Sequence, residues 1–275
     1  FTPGRSCIEA HEMRISAKMW NVSLAFLLCC AGITAGKYVE PLAPYEEAFQ
    51  ARDEYSLPKL PYNFSDLEPY IDEETVRLHY LNHHAIYTAQ LNHVLQVWRN
   101  SSEEGKELAS KSLVEILTKI NEVPEKYQHH LKNVGGGYFN HALYWATLTP
   151  NPTGEDREPG PLTGHLIYNT FENKERLKRW IVHEALDIFG SGNLWLCVDP
   201  KQPKHITIYS LANQDTPFSQ GLFPIMVVDV WEHAYYLKHH HKRLDYLDAW
   251  WNLVNWKTVE DLIERYGVNQ FHDEL

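Results

Sequence analysis

The sequence predicts an α+β fold in which helices precede a linker and a small β-sheet follows it. Residues 72–99 open with an N-cap pattern that is typical of a long helix. Residues 150–161 are rich in proline, glycine and acidic residues, which indicates a linker between two domains. Three short β-rich runs follow, and they predict a small antiparallel sheet over 194–198, 205–210 and 224–230.

The first half of the chain begins with an extended segment and then a helix. Pro58 and Pro61 hold the backbone in a conformation that cannot be helical. Asp72 is expected to cap the next helix, because its carboxylate can accept a hydrogen bond from a free backbone N–H. Glu73 and Glu74 favour the first turn electrostatically, and the helix is expected to reach about residue 99.

Two further helices are predicted before the linker. Ser112 and Glu115 form a capping box ahead of an apolar stretch. Pro124 can occupy a first helical turn, but the glycines at 135–137 are expected to weaken any helix there. A separate helix is therefore predicted over 138–148, ending ahead of Pro150.

In the second half, helices are expected both before and after the strands in sequence. One is predicted over about 173–189 and two more over about 246–256 and 258–266, with Gly267 as a stop signal. The predicted division of the chain is a leader at 1–36, an N-terminal domain at 37–150, a C-terminal domain at 151–271 and a terminal signal at 272–275.

Composition restricts the function to a local site. The formal net charge of -11 over 275 residues offers no basic surface for nucleic acid. An acidic protein attracts a small anion only where positive charge is focused locally.

The two ends of the chain predict a route through the secretory pathway. Arg14 and Lys18 precede an apolar run over 20–33, which is too short to span a membrane and is followed by small residues suited to cleavage. An ordinary apolar helix is the alternative. The final residues 272–275, His-Asp-Glu-Leu, match a retrieval signal for the endoplasmic reticulum, so we expect residence in its lumen and no membrane span in the mature chain.

Cysteine usage and glycosylation patterns fit that route. Cys197 is the only cysteine outside the leader, which excludes a disulfide within the mature chain. Asn63 and Asn100 each begin an Asn-x-Ser sequon, so we expect a glycoprotein.

Two spacings predict a metal site. Asp229 and His233 lie four residues apart in an apolar, aromatic stretch, where a carboxylate and an imidazole are costly to bury unless a metal ion compensates them. His79, His83 and Tyr87 are also four apart, which places them on one face of a helix. A histidine on such a face is alternatively an ordinary core residue.

Four segments together resemble the iron/manganese superoxide dismutase family, in the family's order and spread over about residues 57–266. The resemblance implies an N-terminal helical hairpin and a C-terminal α/β domain with a three-stranded antiparallel sheet, and a metal between them. The matching segments are LHYLNHHAIY at 78–87, GGYFNHALYW at 136–145, LANQD at 211–215 and DVWEHAYY at 229–236.

The resemblance also implies a ligand set and a cofactor of one manganese ion per subunit, with iron possible. The four implied ligands are His79, His141, Asp229 and His233. Three imidazoles and one carboxylate without a thiolate suit manganese or iron rather than a structural zinc. In the family's manganese type a later segment supplies a glutamine, here Gln214, and the helix keeps a glycine, here Gly137. Gln214 as a plain loop residue is the alternative.

Further roles follow from the same resemblance. Tyr87, Gln214, His83 and Arg243 are expected to serve catalysis, and Trp145 and Trp231 to form an apolar wall; each wall residue could equally be core. Asn193 stands where the family usually has a pocket tryptophan. The implied dimer contacts, for a homodimer or a dimer of dimers, are Glu232, Tyr236 and His83. The run His239, His240 and His241 is expected to be solvated.

The implied activity is conversion of superoxide to dioxygen and hydrogen peroxide. Iron-dependent catalysis is one alternative. A low-activity luminal homologue that only holds metal is the other, and Asn193 is the feature that favours it.

Overall fold

The computed structural model describes residues 43–266. The leader, Gly267 and the terminal signal lie outside these residues, so the interpretations placed on them stay predictions. Among residues 43–266 no helix is long and apolar enough to cross a bilayer. The helices before the linker are α1 (Glu73–Leu78), α2 (Ala85–Arg99), α3 (Leu113–Thr118) and α4 (Glu125–Ala146).

The long first helix is confirmed, but it is not α-helical throughout. Asp72 caps α1 by accepting a hydrogen bond from the backbone N–H of Thr75. A π-helical segment, His79–His84, then joins α1 to α2. His79 and His84 are buried, and His83 is partly buried. His79, His83 and Tyr87 still share one face, as their spacing predicted, because the His83 ring stacks on His233 and the Tyr87 ring lies 5.2 Å from the His141 ring.

The prediction that the three glycines interrupt the next helix was wrong. Helix α4 runs without a break through Gly135, Gly136 and Gly137, and it packs against α2 as the second arm of the helical hairpin. The predicted Ser112–Glu115 capping box is present at α3. Pro124 lies at the N-cap of α4 rather than in its first turn.

The second half contains the predicted sheet and two helices that the sequence reading missed, at Pro161–Phe171 and at Tyr236–His239. Helix α5 begins at Pro161, at the end of the predicted linker, where proline is favoured because its missing N–H would be free in any case. The elements are α5 (Pro161–Phe171), α6 (Lys174–Asp187), β1 (Gly192–Val198), β2 (Ile206–Ala212), β3 (Phe223–Asp229), α7 (Tyr236–His239), α8 (Arg243–Trp251) and α9 (Trp256–Tyr266).

The sheet is antiparallel, as predicted, in the order β2-β1-β3. Strand β1 is central and buried along its whole length. Its register pairs Asn193 with Leu211 on one side and with Asp229 on the other. The sheet therefore sets a β1 side chain beside both the end of β3 and the turn that follows β2.

Candidate metal centre

Four side chains predicted to bind metal lie together in the structure. His79 comes from the π-helical segment, His141 from α4, Asp229 from the end of β3, and His233 from the short helical turn that follows it. One ligand atom from each lies within 4.8 Å of the others. Within residues 43–266 this is the only group of histidine, cysteine and acidic residues with such a geometry.

The Asp229 carboxylate directs a single oxygen into this cluster. Its Oδ1 accepts a hydrogen bond from the backbone N–H of Trp231 at 2.8 Å. Its Oδ2 lies 3.2 Å from Nε2 of both His79 and His233. Ligand atoms about 2 Å from a shared ion lie roughly 3 to 4 Å apart, so these spacings fit one common centre.

The His141 ring has its tautomer set by the backbone. Its Nδ1 lies 2.6 Å from the carbonyl oxygen of Gly137, which can only accept a hydrogen bond. Nδ1 therefore carries the proton, and Nε2 is left with a free lone pair. Nε2 of His141 is buried and has no hydrogen-bond partner.

His79 leaves a second buried nitrogen unsatisfied. Its Nε2 approaches Asp229 without hydrogen-bond geometry, and it has no partner either. Two buried, unpaired imidazole nitrogens beside a carboxylate are unfavourable in a metal-free core, and a cation satisfies all of them together. The residues present thus fit a manganese or iron ion, whose preference includes imidazole and carboxylate ligands.

The protonation states favour cation binding. Burial lowers the pKa of His79 to about 4, although the nearby Asp229 acts in the opposite direction. Burial also holds the pKa of His141 well below its ordinary value. Burial alone would raise the pKa of Asp229, but His233 and His79 outweigh it and keep that pKa below its usual range. At neutral pH His79 and His141 are therefore neutral imidazoles beside the ionised carboxylate of Asp229.

Gln214 and Tyr87 form a pair beside the cluster. The Nε2 of Gln214 donates to the Tyr87 hydroxyl at 3.5 Å, and the Tyr87 ring lies 5.2 Å from the His141 ring. Burial raises the pKa of Tyr87, while the hydrogen bond from Gln214 acts to lower it. Tyr87 is therefore a neutral hydroxyl at physiological pH, able to hold and give a proton.

Two glycines of α4 allow Gln214 and Tyr87 to pack closely against the helix. A Cβ on Gly136 would lie 1.9 Å from the carbonyl oxygen of Gln214, and a Cβ on Gly137 would lie 2.5 Å from the Tyr87 ring. Real Cβ atoms do not tolerate such distances. The glycines therefore provide close packing between α4, the turn after β2 and α2.

Aromatic rings lie around the cluster. The Trp145 ring lies 4.8 Å from His79, and its Nε1 donates to Nδ1 of His84 at 3.2 Å. The Trp231 ring lies 5.5 Å from His233. Tyr144 adds a ring 5.3 Å from His79 that the sequence reading did not single out. His84 was also assigned no role there, although its buried ring stacks on His141 at 5.4 Å.

Asn193, expected in the pocket wall, is buried and contacts Gln214 instead. Its Nδ2 lies 3.4 Å from Oε1 of Gln214 and donates to the carbonyl of Asn213 at 3.0 Å. Asn140 was missed, and its Nδ2 donates to the same Gln214 oxygen at 3.0 Å. Its position one residue before His141 was the available sequence signal.

Arg243 contacts the protein backbone. Its guanidinium donates to the carbonyls of Ala185, Ile188 and Gly190, just beyond or at the end of α6. Its Nε donates to the Tyr235 hydroxyl at 3.3 Å. Most of its N–H groups are thus engaged, so any action on a substrate is through its charge.

The predicted dimer contacts lie beside the cluster and are accessible. The His83 ring stacks on His233 at 4.1 Å. Glu232 is exposed, and Tyr236 is 48% exposed. Of the histidine run expected to be solvated, His240 and His241 are exposed, but His239 is partly buried and its Nε2 donates to the Tyr70 carbonyl at 3.1 Å.

Comparison with known proteins identifies the family. The model of the α-hairpin domain of iron/manganese superoxide dismutases matches residues 54–149, and the model of their C-terminal domain matches residues 160–262. The chain belongs to the iron/manganese superoxide dismutase family. Superoxide dismutase [Mn/Fe] 2 from Staphylococcus aureus strains N315 and MW2 is 39% identical to it over 210 residues, which is 76% of this chain and 98% of the relative.

Membership confirms several predictions. The chain is an oxidoreductase that acts on superoxide, and its cofactor is one manganese or iron ion per subunit. None of these comparisons supports a low-activity luminal homologue. The superoxide dismutase fold predicted from the sequence, a helical hairpin followed by an α/β domain with three antiparallel strands, is the one observed.

Proposed function

We propose that this superoxide dismutase works with manganese, held by His79, His141, Asp229 and His233. The observation that carries the ligand set is the convergence of those four side chains with two unpaired, buried imidazole nitrogens. When bound, the ion supplies the one-electron oxidation and reduction that convert two superoxide ions and two protons into dioxygen and hydrogen peroxide.

The preference for manganese rests on the residues beside the cluster. Gln214 comes from the turn after β2, while the α4 position nearest Tyr87 is Gly137. The carboxamide of Gln214 is therefore delivered from the sheet side rather than from the helix. Hydrogen bonds from such groups tune a metal's redox potential, which decides which ion turns over.

The surrounding side chains give the site its remaining properties. Tyr87 and Gln214 hold a proton next to the cluster, because the neutral hydroxyl and the amide are hydrogen-bonded to each other. Trp145 and Trp231 exclude water, which strengthens electrostatic interactions inside the site. The positive charge of Arg243 opposes the acidic surface of the chain and favours the approach of an anion.

Separate reconstitution tests the metal. Residues 37–275 are prepared metal-free, loaded with manganese or with iron, and assayed for superoxide loss per bound ion. Activity with manganese and at least tenfold less with iron is expected. Equal or greater activity with iron would contradict the preference, and tight binding of either ion without turnover would contradict catalysis. His79→Gln and His141→Gln should lose the ion, while the exposed His241→Gln should retain it.

We propose a homodimer in which Glu232 and Tyr236 of each subunit meet His233 and His83 of the other. The support is that both side chains are exposed next to the cluster, where reciprocal contacts would form a symmetric interface. Sedimentation analysis should find a dimer or a tetramer for the intact protein and a larger monomer fraction for Glu232→Ala. A monomeric intact protein would contradict the proposal.

We also propose that the chain resides in the lumen of the endoplasmic reticulum as a glycoprotein. The support is the sequence at 14–36 and 272–275 together with the exposure of Asn63 and Asn100. Imaging in a eukaryotic cell should place the full chain in this compartment, and deletion of the last four residues should release it into the medium. The same location for both forms would contradict the retrieval signal.

A further inference from the structure

Three buried amide side chains form a connected cluster beside the metal site. Asn140 of α4, Asn193 of β1 and Gln214 of the turn after β2 are each at most 2% exposed. Both asparagines place Nδ2 against Oε1 of Gln214, at 3.0 Å for Asn140 and 3.4 Å for Asn193. The cluster joins the two halves of the chain at the residue whose amide faces Tyr87.

Backbone carbonyls determine which way each amide points. A carbonyl only accepts hydrogen bonds, so the atom facing it must be an amide nitrogen. Asn193 faces the carbonyl of Asn213 at 3.0 Å, and Asn140 faces the carbonyl of Gln214 at 3.3 Å. Both asparagine nitrogens are thereby assigned, and each is a donor.

These donors in turn fix Gln214. The atom that two amide nitrogens approach must be the carboxamide oxygen, because the reversed amide would place donors against donors. Nε2 of Gln214 is then left to face the Tyr87 hydroxyl. Since Tyr87 accepts this hydrogen bond with its oxygen, its own proton is free for another acceptor in the site.

Asn193 also holds the backbone that carries Gln214. The preceding residue, Asn213, has a left-handed conformation with φ of 57°, and its carbonyl receives hydrogen bonds from both Asn193 and Nε1 of Trp231 at 3.1 Å. Asn193 thus contacts both the turn and the side chain at its tip. Its position opposite Leu211 and Asp229 in the sheet makes this reach possible.

We infer that Asn193 is a positioning residue for Gln214: its side-chain amide orients the Gln214 carboxamide so that Nε2 faces Tyr87 and the Tyr87 proton faces the site. Asn193 acts through Gln214 and is not itself a catalytic residue. The inference rests on the proposed function, because it assigns a role within the same site.

The test compares Asn193→Leu with a matched control, Asn151→Leu. Leucine has a size similar to asparagine but no donor. Asn151 is also buried, at 3%, and its Nδ2 donates to two backbone carbonyls, those of Glu155 and Asn252. Asn151 Oδ1 also accepts from the backbone N–H of Glu155 at 2.9 Å, so the control loses three hydrogen bonds from a buried amide and Asn193→Leu loses two, but only Asn193→Leu loses contact with Gln214.

The readout is the midpoint potential of the manganese-loaded protein. We expect Asn193→Leu to change the ratio of oxidised to reduced metal at a fixed potential by about tenfold, which is about 59 mV for a one-electron couple. Asn151→Leu should leave the potential unchanged. Should Asn193→Leu fail to fold, Asn193→Ala removes the same donor and carries the same test.

A double-mutant cycle adds a second readout. Turnover per bound manganese should fall several-fold in Asn193→Leu, and the same substitution should have no further effect when Gln214 is already replaced by alanine. An unchanged potential, an equal shift in the Asn151 control, or additive losses in the cycle would each overturn the inference. Failure of the proposed function is distinct, since it would appear as an inactive unmutated protein.

Discussion

At the scale of single residues, the site depends on glycines, whose lack of a side chain lets neighbouring segments approach closely. Gly136 is the clearest case, because α4 passes so close to the Gln214 carbonyl that no side chain fits between them. Residue identity alone predicted the opposite effect, a weakened helix. The helix is instead stabilised because this part of it is buried. Glycine is needed because the Gln214 backbone packs directly against it.

We therefore predict that Gly136→Ala displaces Gln214. The new methyl group should destabilise the fold by about 1 to 3 kcal/mol or more through overpacking, and turnover per bound metal should fall at least tenfold. Gly164→Ala is the matched control in a helix, since its added methyl group would find its nearest neighbour 4.0 Å away. That control should be neutral or stabilise by about 0.5 to 1 kcal/mol. Urea unfolding and a metal-normalised assay measure both; equal effects would refute the packing argument.

The resemblance to the family implied the ligand set but not the hydrogen bonds that orient the residues around it. His79, His141, Asp229 and His233 meet as expected, because each sits in a segment with a recognisable motif. Asn140 and Asn193 were not assigned their contacts to Gln214, since amide networks form between segments distant in sequence and leave no periodic pattern. Arg243 was expected to serve catalysis, and the sequence did not predict that its donors contact carbonyls near the end of α6.

At the scale of elements, caps determined which boundaries were predictable. Asp72 and the Ser112–Glu115 box are local signals, and both helices begin where they indicate. Helix α5 was missed because its cap comes from far along the chain. Glu260 of α9 accepts hydrogen bonds from the backbone N–H groups of Leu162 and Thr163, at 2.8 and 2.7 Å.

We predict that Glu260→Ala destabilises the protein by about 1 to 3 kcal/mol, because it leaves two N–H groups at the start of α5 without an acceptor and removes a favourable negative charge. Glu264→Ala, at an exposed position of the same helix, should change stability by less than about 0.5 kcal/mol. Urea unfolding of the metal-loaded proteins measures both. The cap would be unimportant if the two variants unfolded at the same urea concentration.

At the scale of the whole molecule, burying several neutral histidines couples stability to pH. Burial lowers the pKa of His79 to about 4 and that of His84 to about 3, from an ordinary value of 6.5. Between these values and 6.5, the unfolded chain binds protons that the folded chain does not. Stability conferred by the neutral rings is therefore complete above 6.5 and is lost as the pH falls toward 4 and then 3.

We expect the metal-free protein to lose stability steadily from pH 7 to pH 4, with each buried histidine contributing up to about 1.4 kcal/mol per pH unit. Urea unfolding at a series of pH values measures the slope. His84→Gln should reduce it, whereas His241→Gln, at an exposed position, should not. A flat profile between pH 7 and pH 5 would contradict the assignment of neutral, buried rings.

Burial of the ligands has a kinetic consequence for metal selection. His79 and His141 are 1% exposed and Asp229 is 3% exposed, and they belong to segments on either side of the linker. Three of the four ligands are thus almost inaccessible, and we expect release of a bound ion to require the hairpin and the sheet to separate. The rate of ion exchange should consequently follow the rate of unfolding, measurable by isotope exchange against urea concentration. The ion that a molecule carries is then set by the metal available while the chain folds. The folded protein keeps that ion even when the metal supply later changes.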